Sequence, residues 1–174
     1  MTNLVFCGVG SRGTPLAIQK EMTEIGRLFR EHGFYVRSGH ADGADYSFEE
    51  GARENTIAYL PWLGFNSKLA LLGDSLVVQG NKELDDMVIK FHPEPASLSA
   101  GAFKLMRRNS CQVLGRYLDS PARAVICWTQ GALPVGGTSQ AIRIAHAYKV
   151  PVINMAHPHH NTADKVMSAL NVQT

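Results

Sequence analysis

Three glycine-rich stretches carry the residue types best suited to binding an anion. They read GVGSRGT at 8–14, RSGHADGAD at 37–45 and GGTSQ at 136–140. Glycine lets the backbone approach a ligand closely, and N–H groups at the start of a helix bind phosphate. A serine hydroxyl and an arginine in the first stretch add further donors to phosphate. The predicted phosphate-binding residues are Gly10, Ser11, Arg12, Ser38, Gly39, Gly136, Gly137 and Thr138.

These stretches also have a simpler interpretation as tight turns between a strand and a helix, with Arg12 in solvent. No GK[ST] follows the first stretch, so it is not a Walker A loop, and we do not assign it to the dinucleotide-binding fingerprint either. The simpler interpretation does not explain Ser38 and Gly39. These two residues end a strand at the position where a ligand would bind.

Carboxylates cluster in the second stretch and in the helix predicted after it. Asp42, Asp45 and Glu49 fall along one face of a helix that we expect to begin near Asp42. They could hold a ribose hydroxyl, and we add Asp42 to the binding residues. Alternatively Asp42 caps this helix and Asp45 lies in its first turn, which would lower the basicity of both. Asp45 and Glu49 are the candidates for a catalytic carboxylate.

Two further motifs are polar, and the sequence alone does not assign their contacts. Asn109, in the sequence RRN at 107–109, falls on the apolar stripe of a long predicted helix, so its amide must find hydrogen-bond partners. It either ties down a loop or lines the site with an arginine, and we assign Arg108 and Asn109 to the ligand site.

The segment HPHH at 157–160 has no cysteine or acidic residue nearby in sequence, so we expect a surface loop. No metal and no cofactor are expected.

Apolar strands alternating with helices predict the framework that positions these loops. Strands are expected at 4–9, 34–36, 56–60, 124–128 and 150–154. Helices are expected from Thr14-Pro15 to Gly33, from Asp42, around 84–91, and at about 97–117, 138–148 and 162–170. This order predicts an α/β, Rossmann-like three-layer fold with a central parallel sheet. The glycine-rich loops follow strands, so they should meet at the carboxyl edge of the sheet.

Composition is consistent with one globular domain over residues 1–174. Hydrophobic residues make up 45% and charged residues 18% of the chain. The net charge of +2 neither requires nor excludes a nucleic-acid partner. The chain has no apolar run of 18 residues, no basic region before its first apolar stretch, and three widely spaced cysteines. We therefore expect a cytoplasmic protein with reduced cysteines and no membrane association.

The motifs together resemble those of the DprA/Smf DNA-processing proteins, over about residues 4–155. The shared features are GSRGT after the first strand, VRSGHADGAD, TIAYL, RRN and GGTSQA. More broadly they resemble the SLOG superfamily of Rossmann-like nucleotide-binding domains, which includes the LOG phosphoribohydrolases. The resemblance implies a parallel sheet, frequent homodimers, and either single-stranded DNA binding or cleavage of a nucleotide N-glycosidic bond. DprA proteins usually carry flanking domains, for which this chain has no room.

The residues favour binding over catalysis. The LOG pattern PGGxGTxxE ends in a catalytic glutamate, and here the run PVGGTSQA places Ala141 three residues after the threonine. We therefore expect a nucleotide- or single-stranded-DNA-binding protein in DNA processing or recombination. The alternatives are a nucleotide N-glycosidase and a receptor or sponge for a nucleotide-derived signal. The basic residues expected to contact DNA phosphates are Arg12, Arg37, Lys104, Arg107, Arg108 and Arg116, which would make DNA affinity fall steeply with salt.

Overall fold

The computed structural model describes residues 4–172, which build one six-stranded sheet between two layers of helices. All strand pairs are parallel, and the order across the sheet is β4-β3-β2-β1-β5-β6. The strands are β1 (Val5–Gly8), β2 (Tyr35–Ser38), β3 (Thr56–Leu60), β4 (Asp74–Val77), β5 (Val125–Cys127) and β6 (Val152–Asn154). This is the predicted Rossmann-like three-layer fold.

Five α-helices lie between strands in the chain, and a sixth follows β6. They are α1 (Leu16–Glu31), α2 (Ala44–Ala52), α3 (Lys82–Phe91), α4 (Ala100–Leu114), α5 (Thr138–Ala147) and α6 (Ala163–Ala169). In the part of the chain that the structure describes, no helix is long and apolar enough to cross a membrane. Residues 4–172 also contain no group of three or more histidine, cysteine or acidic side chains placed to hold a metal ion.

Alternation along β1 divides the core between the two faces of the sheet. Phe6 points to the face covered by α1, α2 and α6, where it stacks on Phe29 with ring centroids 4.1 Å apart. Cys7 points to the opposite face, where it packs in a cluster with Val113 of α4 and Ile144 of α5. All three cysteines are buried and free, as their apolar context predicts. Burial on both faces explains why β1 and β5 are almost continuously apolar.

The structure adds one strand and corrects two helix caps. Strand β4 was not predicted, because it lies at the edge of the sheet and is only partly buried. Helix α1 begins after Pro15, and the Thr14 hydroxyl donates to the Ser11 carbonyl instead of capping the helix. Asp42 does not cap α2 either, because Gly43 occupies the N-cap position with φ of 80°.

Chain order reverses between β1 and its neighbour β5. Strands β1 to β4 run outward in one direction, and β5 and β6 extend the sheet in the other. Connections leave β1 and β5 toward opposite sides at such a point, which opens a crevice beyond their carboxyl ends. The loop after β1 and the glycine-rich loop before α5 both lie at this crevice.

Candidate functional site

A cavity of about 530 Å³ occupies the crevice beyond β1 and β5. Its volume lies within the usual range for small-ligand pockets, about 300–1,000 Å³. Helices α2, α4 and α5 contribute to it, together with the loops that follow β1, β2 and β5. The lining residues that the sequence predicted are Gly10, Ser11, Arg12, Asp45, Arg108, Asn109, Gly136, Gly137 and Thr138. Four predicted residues, Ser38, Gly39, Asp42 and Glu49, do not line it.

Asp45 joins the first two glycine-rich loops. Its Oδ1 accepts from the backbone N–H of Gly10 at 3.1 Å, and its Oδ2 accepts from that of Gly39 at 2.9 Å. The carboxyl is 3% exposed, and this burial outweighs the nearby Arg108 and raises the pKa of Asp45 to about 6. The expected lowering of its basicity by helix capping was therefore wrong, because desolvation dominates. Asp45 is the one cavity-lining carboxylate among the described residues.

Glu49 lies behind the Gly39 turn in a closed hydrogen-bond network. Its Oε1 accepts from Ser38 Oγ at 2.6 Å, and its Oε2 accepts from His40 Nδ1 at 2.7 Å. Glu49 and Ser38 are fully buried and His40 is 1% exposed. The hydrogen bond that His40 donates to Glu49 raises the pKa of His40. The structure thus places Glu49 and Ser38 where they hold the turn that carries Gly39.

Asp42 faces outward and pairs with a lysine. Its Oδ2 lies 3.0 Å from Lys68 Nζ, with both side chains substantially exposed. Hydrogen bonding from Lys68 lowers the pKa of Asp42. The carboxylate lies outside the cavity lining, so in this conformation it contacts a surface cation and not the candidate site.

Arg108 brings a buried cation into the cavity wall. Its Nη1 donates to the Gly39 carbonyl at 2.6 Å, and its guanidinium lies 5.6 Å from the ring centroid of Phe65. The side chain is 8% exposed, and its buried Nε has no hydrogen-bond partner among the described residues. Burial lowers the pKa of Arg108 and Asp45 acts against this shift. One cation and one carboxyl therefore share the inner wall of the cavity.

Asn109 satisfies both interpretations that the sequence left open. Its Nδ2 donates to the Gly137 carbonyl at 2.8 Å, which ties the glycine-rich loop to α4, and the residue also lines the cavity. In the described chain, the backbone N–H groups of Gly136, Gly137 and Thr138 form no hydrogen bond. These donors open helix α5 at the cavity, an arrangement that can accept an anion.

The glycines allow the loops to approach one another. A Cβ on Gly10 would lie 2.6 Å from the Cβ of Ala44 and 3.1 Å from the backbone of Trp128. A Cβ on Gly39 would lie 2.6 Å from the Arg108 guanidinium.

Gly8, Gly10 and Gly13 do have G-x-G-x-x-G spacing, so setting that fingerprint aside on sequence was wrong.

Sequence reasoning missed Gln112 and Thr129. Gln112 is fully buried one turn after Arg108, its Nε2 lies 3.4 Å from Asp45 Oδ2, and its Oε1 has no partner in the described chain. Its spacing of three residues from Asn109 was the available signal. Thr129 lines the cavity at the end of β5, held by the Asn154 side chain.

Comparisons with known proteins identify the fold. No protein-family model matches the chain, and no curated protein matches its sequence. DNA processing protein A from Helicobacter pylori, described for its single-stranded DNA binding, has a similar structure at 16% identity and a TM-score of 0.60, covering 99% of this chain and 75% of that one. The molybdenum cofactor carrier protein from Chlamydomonas reinhardtii is similar at 18% identity and a TM-score of 0.57, covering 96% and 84%. The chain therefore has the fold of these two proteins, and the resemblance to DNA-processing proteins is confirmed at the level of fold.

Proposed function

We propose that the cavity binds a nucleotide or a short stretch of single-stranded DNA without chemical turnover. The observation that carries this proposal is the set of three unused N–H groups at Gly136, Gly137 and Thr138, opening α5 at a cavity that also contains Arg12 and Arg108. A phosphate group fits this combination of backbone donors, helix dipole and guanidinium charge. The remaining cavity would take the sugar and base.

The placement of the basic residues limits the number of phosphates held there. Of the six basic residues considered for DNA contacts, two, Arg12 and Arg108, line the cavity. Arg37 is 5% exposed and donates to Ser120, and Arg107 pairs with Asp85. We infer that the site neutralises one or two phosphates and does not follow a long strand.

The structural relatives support ligand binding as the activity. One of them binds single-stranded DNA and the other carries a cofactor, as their descriptions state. A role in DNA processing or recombination extends the proposal and rests on the resemblance. A cytoplasmic location and a single domain over residues 1–174 are proposed from the composition and the cysteines. A receptor or sponge for a nucleotide-derived signal would use the same phosphate site.

Fluorescence anisotropy with a labelled oligothymidylate tests the DNA form of the proposal. Two neutralised phosphates give a slope of log K against log salt of about −1.4, whereas six give about −4. A nucleoside monophosphate that competes with the oligonucleotide would show that both use one site. Failure of both ligands to bind at low salt would refute the proposal.

Arg12→Ala is the matched variant for this experiment. Arg12 is exposed at the cavity, so its loss should weaken binding about tenfold, the cost of a charge-assisted phosphate contact of roughly 1.5 kcal/mol, without destabilising the fold. Arg116→Ala removes an equally exposed arginine outside the cavity and should leave affinity unchanged. Equal weakening by both variants would indicate general electrostatic attraction and not a site.

A nucleotide N-glycosidase is the second candidate, because Asp45 lines the cavity with a pKa raised to about 6. Cleavage of the glycosidic bond builds positive charge on the ribose and needs a carboxylate there. Both Asp45 oxygens already accept backbone N–H groups, and Ala141, at the position of the LOG glutamate, is fully buried. We therefore expect no free base in a chromatographic assay. Turnover of roughly 1 per second that Asp45→Asn abolishes in a folded protein would make this chain an enzyme.

A further inference from the structure

A second cleft, of about 420 Å³, lies between α5 and the segment that follows β6. Helix α5 contributes Arg143 and His146 to it, and the segment after β6 contributes His157, His159 and His160. The loop between β5 and α5 borders both cavities, since Ala132 and Pro134 line this one and Val135 to Thr138 line the first. The four histidines here are most of the seven in the chain.

The charges of the cleft all have one sign. Its described lining holds one arginine, four histidines and no carboxylate. Arg143 donates through Nε to the Phe91 carbonyl and through Nη2 to Gln140 Oε1, which fixes the guanidinium in place. No described hydrogen bond uses its Nη1. The cleft therefore presents a positioned cation beside four imidazoles, each of which can donate a hydrogen bond.

The imidazoles are crowded against one another. The rings of His157 and His159 stack with centroids 5.3 Å apart, and those of His159 and His160 lie 4.4 Å apart. The Nδ1 atom of His160 is buried and has no hydrogen-bond partner among the described residues. Burial, and then the neighbouring His159 and His157, lower the pKa of His160. An anion in the cleft would act in the opposite direction on the pKa of His160.

Among the described residues, no carboxylate lines the cleft. Lys165 of α6 donates to the Pro158 carbonyl at 2.7 Å and to Asn161 Oδ1 at 2.8 Å, which fixes the histidine segment from behind. Asp164 lies in the first turn of α6 outside the cleft lining. Glu21 of α1 accepts from the backbone N–H of Ala163 at 2.7 Å. Neither carboxylate is among the lining residues of the cleft.

We propose that this cleft is a second anion site, which binds a phosphate-sized oxyanion against Arg143 and the imidazole N–H groups of His157, His159 and His160. A metal ion fits less well, because a guanidinium shares the cleft and the described residues contain no metal-ligand geometry. The site does not depend on the proposed function of the first cavity. Its ligand is either a free oxyanion or a phosphate of a DNA strand that also occupies the first cavity. The two cavities are adjacent, because Thr129 of the first and Asn154 of the second are joined by a hydrogen bond of 2.7 Å.

Nuclear magnetic resonance of the imidazole signals, titrated with inorganic pyrophosphate, tests the proposal directly. No histidine lines the first cavity, so these signals report on the second cleft. The signals of His157, His159 and His160 should shift saturably as pyrophosphate is added. Shifts no larger than those produced by potassium chloride at equal ionic strength would overturn the proposal.

The double variant H157Q/H159Q should abolish the saturable response while His92, outside the cleft, keeps its signal. H92Q is the matched control and should leave the response intact, since its imidazole lies outside the lining. A response to pyrophosphate that survives in H157Q/H159Q would refute the assignment. Saturable binding of zinc with no response to pyrophosphate would also refute it.

An oligothymidylate titration separates the two sources of the anion. If the phosphate belongs to a strand, the oligonucleotide should shift the imidazoles at lower concentration than pyrophosphate, and Arg12→Ala should weaken its effect alone. If the oxyanion is free, pyrophosphate should act and the oligonucleotide should not. Either result supports the second site, and failure of the first-cavity proposal would leave the pyrophosphate response unchanged.

Discussion

At the scale of single residues, the buried carboxyl of Asp45 should make folding stability depend on pH. Its pKa rises from 3.8 to about 6 on folding, mainly through burial. The folded state therefore binds more protons than the unfolded state between these values, and stability falls as pH rises through this window, by about 3 kcal/mol from this group. Urea unfolding followed from about pH 4 to about pH 7 measures the slope.

Asp45→Asn isolates this effect, because an amide does not titrate. The difference in unfolding free energy between wild type and variant should change by about 3 kcal/mol over the window. Asp119→Asn, at an exposed aspartate, serves as the control and should parallel wild type. A constant difference between wild type and Asp45→Asn across the pH range would contradict the raised pKa.

The buried pair of His40 and Glu49 predicts a pH dependence at higher pH. The hydrogen bond that His40 donates to Glu49 raises the pKa of His40 above its ordinary value of 6.5. The stabilisation from this pair is therefore full below about pH 6.5 and is lost as pH rises through the folded-state pKa of His40. Thermal unfolding at about pH 6 and about pH 8.5 should show a decrease for wild type and a smaller one for Glu49→Gln. Glu54→Gln, at an exposed glutamate, should behave like wild type.

At the scale of elements, the contact between the loop after β1 and helix α2 depends on Gly10. Gly10→Ala would place a methyl group 2.6 Å from the Cβ of Ala44 and against the Trp128 backbone, so the loop must move. We expect a loss of about 1–3 kcal/mol in stability and weaker ligand binding. Gly101→Ala, inside α4 with nothing within 4 Å of the added Cβ, should raise stability by roughly 0.5–1 kcal/mol. Denaturant unfolding and anisotropy on both variants provide the comparison.

The sequence predicted those elements whose burial is periodic. Met22, Ile25 and Phe29 marked α1 because one helix face packs on the sheet, and all three are fully buried. Strand β4 was not predicted, because an edge strand with two exposed residues has no continuous apolar pattern. The loops of the site were found from glycine and serine alone, but the contribution of Gln112 depends on how α4 crosses the crevice. The raised pKa of Asp45 likewise arises from tertiary burial, which its neighbours in sequence do not reveal.

At the scale of the whole molecule, the reversal of strand order brings distant segments to one crevice. Residues 10–12, 45, 108–112 and 136–138 come from four parts of the chain, and the sheet aligns them because all its strands are parallel. The same reversal places β6 beside β5, so that the histidine segment after β6 lies next to the loop that borders the first cavity. One topological feature thus accounts for the position of both proposed anion sites.

At the same scale, we expect two chains to associate through the segment 69–91. This segment contains β4, which pairs with β3 on one side and leaves its other edge open among the described strands. It also exposes Leu71 at 48% and Ile89 at 58%. An open sheet edge and exposed apolar side chains each favour association with another chain. Because the resemblance to DNA-processing proteins also implies homodimers, light scattering should give a mass of about 38 kDa, twice the 19.0 kDa of one chain.

Charged substitutions on this surface test the location of the interface. Leu71→Glu combined with Ile89→Glu should shift the mass to that of one chain, because a dimer would bury the two carboxylates without partners. Leu16→Glu is the matched control, since Leu16 is 75% exposed at the start of α1, outside the segment, and the variant should remain dimeric. A monomer mass for wild type across the micromolar range would exclude the dimer. A dimer that persists in the double variant would place the interface elsewhere on the molecule.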